Sequence, residues 1–116
     1  MAITKDYYAN AQGYQLRDFM KEMSNYMENN EWDVYTLEEG FFLLNAVKYK
    51  IRAGLKEDNS FKKDTEKYKD YKKSLEELGW NKTCIDMCVN DYVDAFHKYD
   101  GQKGDEFAVM IEEEGF

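Results

Sequence analysis

The chain has 116 residues, of which 43% are hydrophobic and 16% aromatic, so it is the size of one domain and too apolar for intrinsic disorder. Its net charge of −8 means that the protein as a whole should repel nucleic acid. No apolar run reaches the roughly 18–20 residues of a membrane span, and the first residues lack a signal-peptide core. We therefore expect a cytoplasmic domain with no membrane contact, either a monomer or a homo-oligomer.

Proline is absent and the glycines fall mostly between amphipathic segments, which is typical of a helix bundle. Apolar residues at three- and four-residue spacing predict a first helix from about Tyr14 to Glu28. Thr36 and Glu39 have the spacing of a capping box, in which the side chains satisfy backbone N–H groups of the first turn. A second helix is therefore predicted from Thr36 to about Gly54.

The second half of the chain predicts two more helices. The third begins after the polar turn 56–60 and ends at Gly79, and the fourth runs from Lys82 to about Tyr99 behind Asn81 or Thr83 as the cap. The apolar run 107–111 fits one helical turn or a short strand, and residues 1–13 are not assigned. The predicted fold is all-α: a small bundle of about four helices with an irregular or short-strand C-terminal tail.

The predicted second helix has two opposed faces at 100° per residue. Its apolar face consists of Leu44, Val47, Ile51 and Leu55, and its polar face consists of Asn45, Lys48, Tyr49 and Arg52, with Lys56 one turn further. Arginine binds phosphate with a bidentate fork, lysine with a mobile charge and asparagine with an orienting amide. The polar face is therefore a candidate site for a nucleotide or another phosphate ligand, or else a solvated surface.

Tyr49 has two interpretations of its own. It can stack on the base of a nucleotide, or it can pack against Tyr68 or Tyr71 of the third helix, and we favour the packing interpretation.

Charge is segregated along the chain. From Lys48 to Lys73 there are ten Lys or Arg and five Asp or Glu, a net of +5, so the remainder carries −13. The exposed lysines expected on the third helix are Lys62, Lys63, Lys67, Lys69, Lys72 and Lys73. They suit either a platform for a polyanion or a solvated surface that pairs with nearby carboxylates, and we favour the solvated surface.

Metal and disulfide chemistry are not expected. Cys84 and Cys88 are four residues apart on a helix, a poor geometry for a disulfide, so both are predicted to be reduced thiols in the core. His97 lies about half a turn away around the same helix, which leaves the thiols without a third metal ligand. Asp91 and Asp94 are candidate Mg²⁺ ligands, but a solvated acidic face is the favoured interpretation.

The run Asn45-Ala-Val-Lys-Tyr-Lys-Ile-Arg-Ala-Gly-Leu-Lys56, followed by Asp58, Asp64, Lys67, Tyr71 and Leu75, resembles the small phage SaV-like family. The family core reads Gly-Asn-x-x-Lys-Tyr-x-x-Arg-Ala-Gly-x-Lys, and Leu44 stands here at its first glycine. The segment 13–19 resembles the family's opening helix more weakly. The resemblance covers 36–78 as a helical pair and leaves 79–116 as a C-terminal extension of the same single domain.

The family is commonly described as phage nucleotide kinases, so the resemblance implies nucleotide binding in an infected bacterial cytoplasm, with Mg²⁺ as cofactor if phosphoryl transfer occurs. The chain has no Gly-x-x-x-x-Gly-Lys-Ser/Thr loop, so a kinase built on it would hold ATP phosphates in another way. Whether the protein is an enzyme stays open.

Two hypotheses of function follow. The first is a phage-type protein that binds a nucleotide or phosphate ligand through the polar face of the second helix. The alternative is a non-enzymatic acidic phage protein that binds and inhibits a host nuclease, polymerase or defence protein. The acidic tail, 105–114, favours this alternative.

Overall fold

A computed structural model describes residues 9–29, 36–55 and 60–114 of the protein. Their five helices are α1 (Leu16–Asn29), α2 (Leu37–Leu55), α3 (Ser60–Glu77), α4 (Lys82–Lys98) and α5 (Asp105–Glu113). Within these three ranges there is no strand, and one isolated bridge pairs Ala9 with Gln15. The prediction of an all-α bundle is confirmed, and the four predicted helices lie within a few residues of their expected bounds.

The predicted capping residues at the starts of α2 and α4 form their hydrogen bonds as expected. Thr36 N donates to Glu39 Oε1 at 3.1 Å and Glu39 N donates to Thr36 Oγ1 at 3.1 Å, which is the predicted capping box of α2. Asn81 Oδ1 accepts hydrogen bonds from Thr83 N and Cys84 N, so Asn81 is the cap of α4.

Gly79 ends α3 in the left-handed region, with φ at 101°. Gly79 N donates to Glu76 O and Trp80 N donates to Leu75 O, the hydrogen-bond pattern of a Schellman motif. A residue with a Cβ would be strained at this φ, so a glycine is the suitable residue to stop the helix here.

The C-terminal tail is a helix, which corrects the expectation of an irregular or short-strand tail. Phe107, Met110 and Ile111 are buried, at the spacing of one helical face. Gly104, the N-cap residue of α5, offers no side chain, and its backbone N–H donates instead to the buried carboxylate of Glu22 on α1 at 3.2 Å. This partner is distant in sequence, so the local pattern could not decide between helix and strand.

Helix α2 is the centre of the packing, with α1, α3 and α4 around it. Its buried residues are Leu43, Ala46, Val47 and Ile51, whereas Leu44 and Leu55 are only partly buried. The core face is therefore turned slightly from the predicted one, because a helix surrounded by three others buries more than one narrow stripe. Phe19 of α1 packs against Phe96 of α4 and Phe107 of α5, with ring centroids 5.5 and 5.4 Å apart.

Asn10 connects the segment before α1 to the end of α4. Its Nδ2 donates to Phe96 O at 2.7 Å and to Tyr99 O at 2.8 Å, and its Oδ1 accepts from the backbone N–H groups of Gln12 and Tyr14. The residue is 8% exposed, so these groups have little access to water. The amide both satisfies carbonyls at the C-terminal end of α4 and fixes the turn that leads into α1.

The two thiols do not share one environment. Neither cysteine forms a disulfide, and Cys88 is buried as expected, but Cys84 is exposed. The expectation of two core thiols is wrong for Cys84. This residue lies in the first turn of α4, directly after the Asn81 cap, and its side chain is exposed.

We expect Asn10→Asp to lower the free energy of unfolding by about 2–4 kcal/mol at neutral pH. An aspartate cannot donate to the carbonyls of Phe96 and Tyr99, and it places a buried negative charge beside them. Urea denaturation measures the loss. Asn90→Asp, at an exposed position of α4, is the matched control, and equal losses in the two variants would contradict the role given to Asn10.

Candidate functional site

A groove of about 420 Å³ opens between the start of α1 and the middle of α2. Its lining residues are Gln15, Leu16, Arg17, Met20, Lys48 and Arg52. Three of these six side chains are cations and none is a carboxylate, although the chain as a whole carries a net charge of −8. The groove is therefore a local positive region on an acidic protein.

Two of the cations have no carboxylate partner in the described part of the chain. Arg17 is exposed on α1, and Lys48 is partly buried on α2, with its Nζ 5.1 Å from the centroid of the Tyr49 ring. No ion pair connects either residue to a described Asp or Glu. No described carboxylate therefore neutralises their charges at short range, which makes them suitable groups for an anion.

Arg52 has a structural partner as well as a place in the groove. Its Nε lies 3.6 Å from Oδ2 of Asp64 on α3, and the two side chains are 25% and 5% exposed. A buried carboxylate beside the guanidinium restricts its orientation, which is useful in a binding site but also contributes to packing. The polar face of α2 is thus not a purely solvated surface, because Arg52 contacts a buried carboxylate of α3.

The apolar part of the groove comes from α1. Leu16 is 5% exposed and belongs to the core, while Met20 is partly buried against it. The side-chain amide of Gln15 has both donor and acceptor atoms. Cations, an amide and an apolar surface in one groove match the parts of an organic phosphate better than those of a bare anion.

Two other residues predicted for the site, Asn45 and Tyr49, do not line this groove. Tyr49 stacks on Tyr71 of α3, with centroids 5.8 Å apart and ring planes 6° apart, so the packing interpretation is confirmed. Nδ2 of Asn45 donates to Phe41 O at 2.8 Å within its own helix. Lys56 lies outside the described residues.

Arg17 and Gln15 were not among the site residues predicted from the sequence. Both lie in the segment 13–19, whose weak resemblance to the opening helix of the SaV-like family was the available signal. Their proximity to Lys48 depends on the packing of α1 against α2, which no local pattern encodes.

Lys72 is not the exposed lysine that the sequence suggested. Its Nζ lies 2.8 Å from both carboxylate oxygens of Asp86 on α4, and Tyr68 OH donates to Asp86 Oδ1 at 2.9 Å. The hydrogen bonds from Lys72, more than those from Tyr68, lower the pKa of Asp86. Burial and then the neighbouring Asp86 raise the pKa of Tyr68. These residues connect α3 to α4.

The five other lysines of α3 are exposed, as expected: Lys62, Lys63, Lys67, Lys69 and Lys73. Their exposure is compatible both with a platform for a polyanion and with a solvated surface.

Metal ligands do not converge among the described residues, where no group of three or more His, Cys, Asp or Glu could hold an ion. Asp91 and Asp94 lie on α4, and partial burial, then the charges of Asp94 and Glu114, raise the pKa of Asp91. None of the described helices has the length and apolarity needed to cross a membrane.

The fold and the groove define a small all-α protein with a cation-lined cleft. The chain is similar to the SaV protein of Lactococcus phage SK1, with 37% identity over 88 residues, covering 76% of this chain and 62% of that protein. It is also similar to the SaV protein of Lactococcus phage p2, with 28% identity over 118 aligned positions, covering 96% of this chain and 85% of that protein. The chain thus spans less than two thirds of the first relative.

No protein-family model and no solved structure matches the chain. The similarity to two phage SaV proteins supports the resemblance to a small phage SaV-like family that the residues of α2 and α3 suggested. Neither relative's name states an activity.

The Lys72–Asp86 pair predicts a dependence of stability on pH. Because the pKa of Asp86 is lowered on folding from 3.8, its stabilising effect is present above about pH 4 and is lost as the pH falls through the folded-state pKa. Asp86→Asn should therefore cost about 1 kcal/mol or less near pH 7, since Asp86 is 46% exposed, and still less near pH 3. Urea denaturation at both pH values measures this, and an unchanged difference would contradict it.

Proposed function

We propose that the protein binds a small phosphate-bearing molecule, with a nucleotide as the leading candidate, in the groove between α1 and α2. The observation that supports this proposal is that the described lining residues include three cations and no carboxylate, on a chain of net charge −8. On such a protein a cationic groove is unusual, because chance placement of charges would bring acids into it.

The electrostatics of the groove favour a compact dianion or polyanion over a long nucleic acid. Exposed charges are screened beyond about 8–10 Å at physiological salt, so a small phosphate in the groove would be affected mainly by Arg17, Lys48 and Arg52. A longer polyanion would extend beyond the groove toward the acidic remainder of the surface and would be repelled there.

Each lining group has a role in this proposal. Arg17 and Lys48 bring charges from two different helices that no described carboxylate pairs with, and Arg52 contributes a guanidinium whose orientation Asp64 restricts. Gln15 supplies an amide for hydrogen bonding, and Leu16 with Met20 offers an apolar surface for a base or another organic group. Asn45 and Tyr49, which the sequence included in the site, do not line this groove.

Nucleotide kinase activity, with Mg²⁺ as cofactor, is a separate prediction that rests on the family resemblance alone. The proposal made here is limited to binding. The phage relatives support a place of action in an infected bacterial cell, and we propose its cytoplasm.

The alternative function, inhibition of a host protein by an acidic surface, has one supporting observation. The carboxylates of Asp105, Glu106, Glu112 and Glu113 on α5 are exposed rather than used in the core. Both functions are compatible, since the groove and α5 are different surfaces.

We expect Lys48→Ala and Arg17→Ala each to weaken binding of the ligand by about 1.5–3 kcal/mol, the usual value of a charge-assisted hydrogen bond. A thermal-shift screen of nucleoside mono- and triphosphates with Mg²⁺ selects the ligand, since a compound at 100 times its Kd stabilises by about 2.7 kcal/mol. Isothermal titration then compares the variants with Lys73→Ala, which removes an exposed charge from α3.

Arg52→Ala is a less clean probe, because it also leaves the buried Asp64 carboxylate without this guanidinium. Equal and small effects of the Lys48, Arg17 and Lys73 substitutions would show that the groove cations do not bind the ligand. If neither a nucleoside phosphate nor inorganic phosphate produces a thermal shift, the proposed function itself is rejected.

A further inference from the structure

A second groove, of about 570 Å³, runs along the open side of α5. Its lining residues are Lys98, Gln102, Asp105, Glu106, Val109, Met110, Glu113 and Glu114. The apolar part consists of Val109, which is 56% exposed, and Met110, which is 9% exposed. Carboxylates lie on both sides of it in sequence, one helical turn before and one after.

The exposure of Val109 is not required by the packing of α5. The helix already buries Phe107, Met110 and Ile111 against the rest of the protein. Val109 follows Phe107 by two residues, so it lies on the opposite side of the helix, on the same face as Asp105 and Glu113. The outer face of α5 therefore has an apolar centre between acidic residues.

The groove has a strong excess of negative charge. Its four carboxylates face one cation, Lys98, whose Nζ lies 2.8 Å from Oε2 of Glu114. That ion pair raises the pKa of Lys98 and leaves Asp105, Glu106 and Glu113 as the remaining lining acids. Asp94 adds to the same field, since its charge contributes to the raised pKa of Asp91 together with that of Glu114.

The distribution of these acids indicates the kind of cation they suit. Among the described residues no three of them converge on one point as metal ligands do. They are spread along a helix, which suits several separate positive charges. A ligand with cations at intervals and an apolar side chain between them would match both the acids and Val109.

We propose that this groove docks a basic amphipathic segment of a partner protein. Apolar side chains of the segment contact Val109 and Met110, and its Lys or Arg side chains pair with Asp105, Glu106 and Glu113. This is the helix-in-groove mode of recognition, in which apolar contact stabilises the complex and complementary charge steers the encounter and sets orientation. The inference builds on the alternative function, the binding of a host protein by an acidic surface, and assigns that surface a basic amphipathic partner and a contact on α5.

A second copy of this chain is the less suitable occupant. Two copies each carry a net charge of −8 and repel one another, whereas a basic segment is attracted. The basic surface of the chain, on α3, has one large exposed apolar side chain among its described helical residues, Phe61, so it lacks an apolar stripe to place on Val109.

The test uses a labelled synthetic peptide of about 14 residues, roughly four helical turns, with Leu at the i and i+4 positions of one face and Lys elsewhere. Fluorescence polarisation measures its binding to the full chain. Two comparison peptides replace every Leu by Ser or every Lys by Glu. We expect the Lys/Leu peptide to bind at least about tenfold more tightly than either, with affinity that falls as salt is added.

Variants of the protein locate the contact. We expect Glu113→Lys and Val109→Ser each to weaken binding of the Lys/Leu peptide by about tenfold. Their matched controls are Glu77→Lys on α3, which changes the net charge equally, and Leu37→Ser on α2, which removes an apolar residue that is 94% exposed. The controls should bind the peptide as the unmodified protein does.

Each of several results would overturn the proposal. Equal binding of the Lys/Leu and Lys/Ser peptides would show that charge alone acts and that Val109 has no role. Equal losses in the α5 variants and their controls would place the contact elsewhere. Concentration-dependent self-association in sedimentation that Val109→Ser abolishes would make a second copy the occupant.

Discussion

The side chain of Asn10 fixes the start of α1, and the geometry of the cation-lined groove depends on that. Its amide joins the carbonyls of Phe96 and Tyr99 at the end of α4 to the turn that precedes α1. Gln15, Leu16 and Arg17 follow this turn directly and form the α1 side of the groove. A buried amide with four hydrogen bonds is sensitive to any change of position, so the end of α4 and the entry of α1 are held together.

Helix α2 contributes both to the core and to the lining of the groove, and three helices surround it. Val47 and Ile51 are buried, while Lys48 and Arg52, one residue further on in each case, line the groove. Asp64 holds Arg52 from α3, and Tyr71 covers Tyr49 from the same helix. Two of the three groove cations, Lys48 and Arg52, are thus carried by the most extensively packed helix of the described structure, and a rigid support of this kind would favour precise binding of a small ligand.

The segregation of charge along the sequence becomes a separation of surfaces in the fold. Cations from α1 and α2 meet at one groove, and carboxylates of α5 surround another. The acidic groove also has an exposed apolar residue, Val109, between its carboxylates. The two ligands that we propose, a small anion and a cationic segment, would therefore bind at different places, since screening limits the range over which each surface acts.

Local patterns determined four of the five described helices, α1 to α4. The capping box at Thr36, a cap at Asn81 or Thr83, the stop at Gly79 and the helical spacing of apolar residues are encoded within a few neighbouring positions, and each was predicted from the sequence. The sequence also identified Lys48 and Arg52, because both lie on the polar face of one helix. Tertiary structure alone decided which residues surround Lys48 and Arg52: Arg17 comes from α1 and Asp64 from α3. Tertiary structure also decided the helical tail, where the backbone N–H of Gly104 donates to Glu22 of α1. These contacts join residues far apart in the chain, and they depend on how whole helices pack, which periodicity along one helix does not specify.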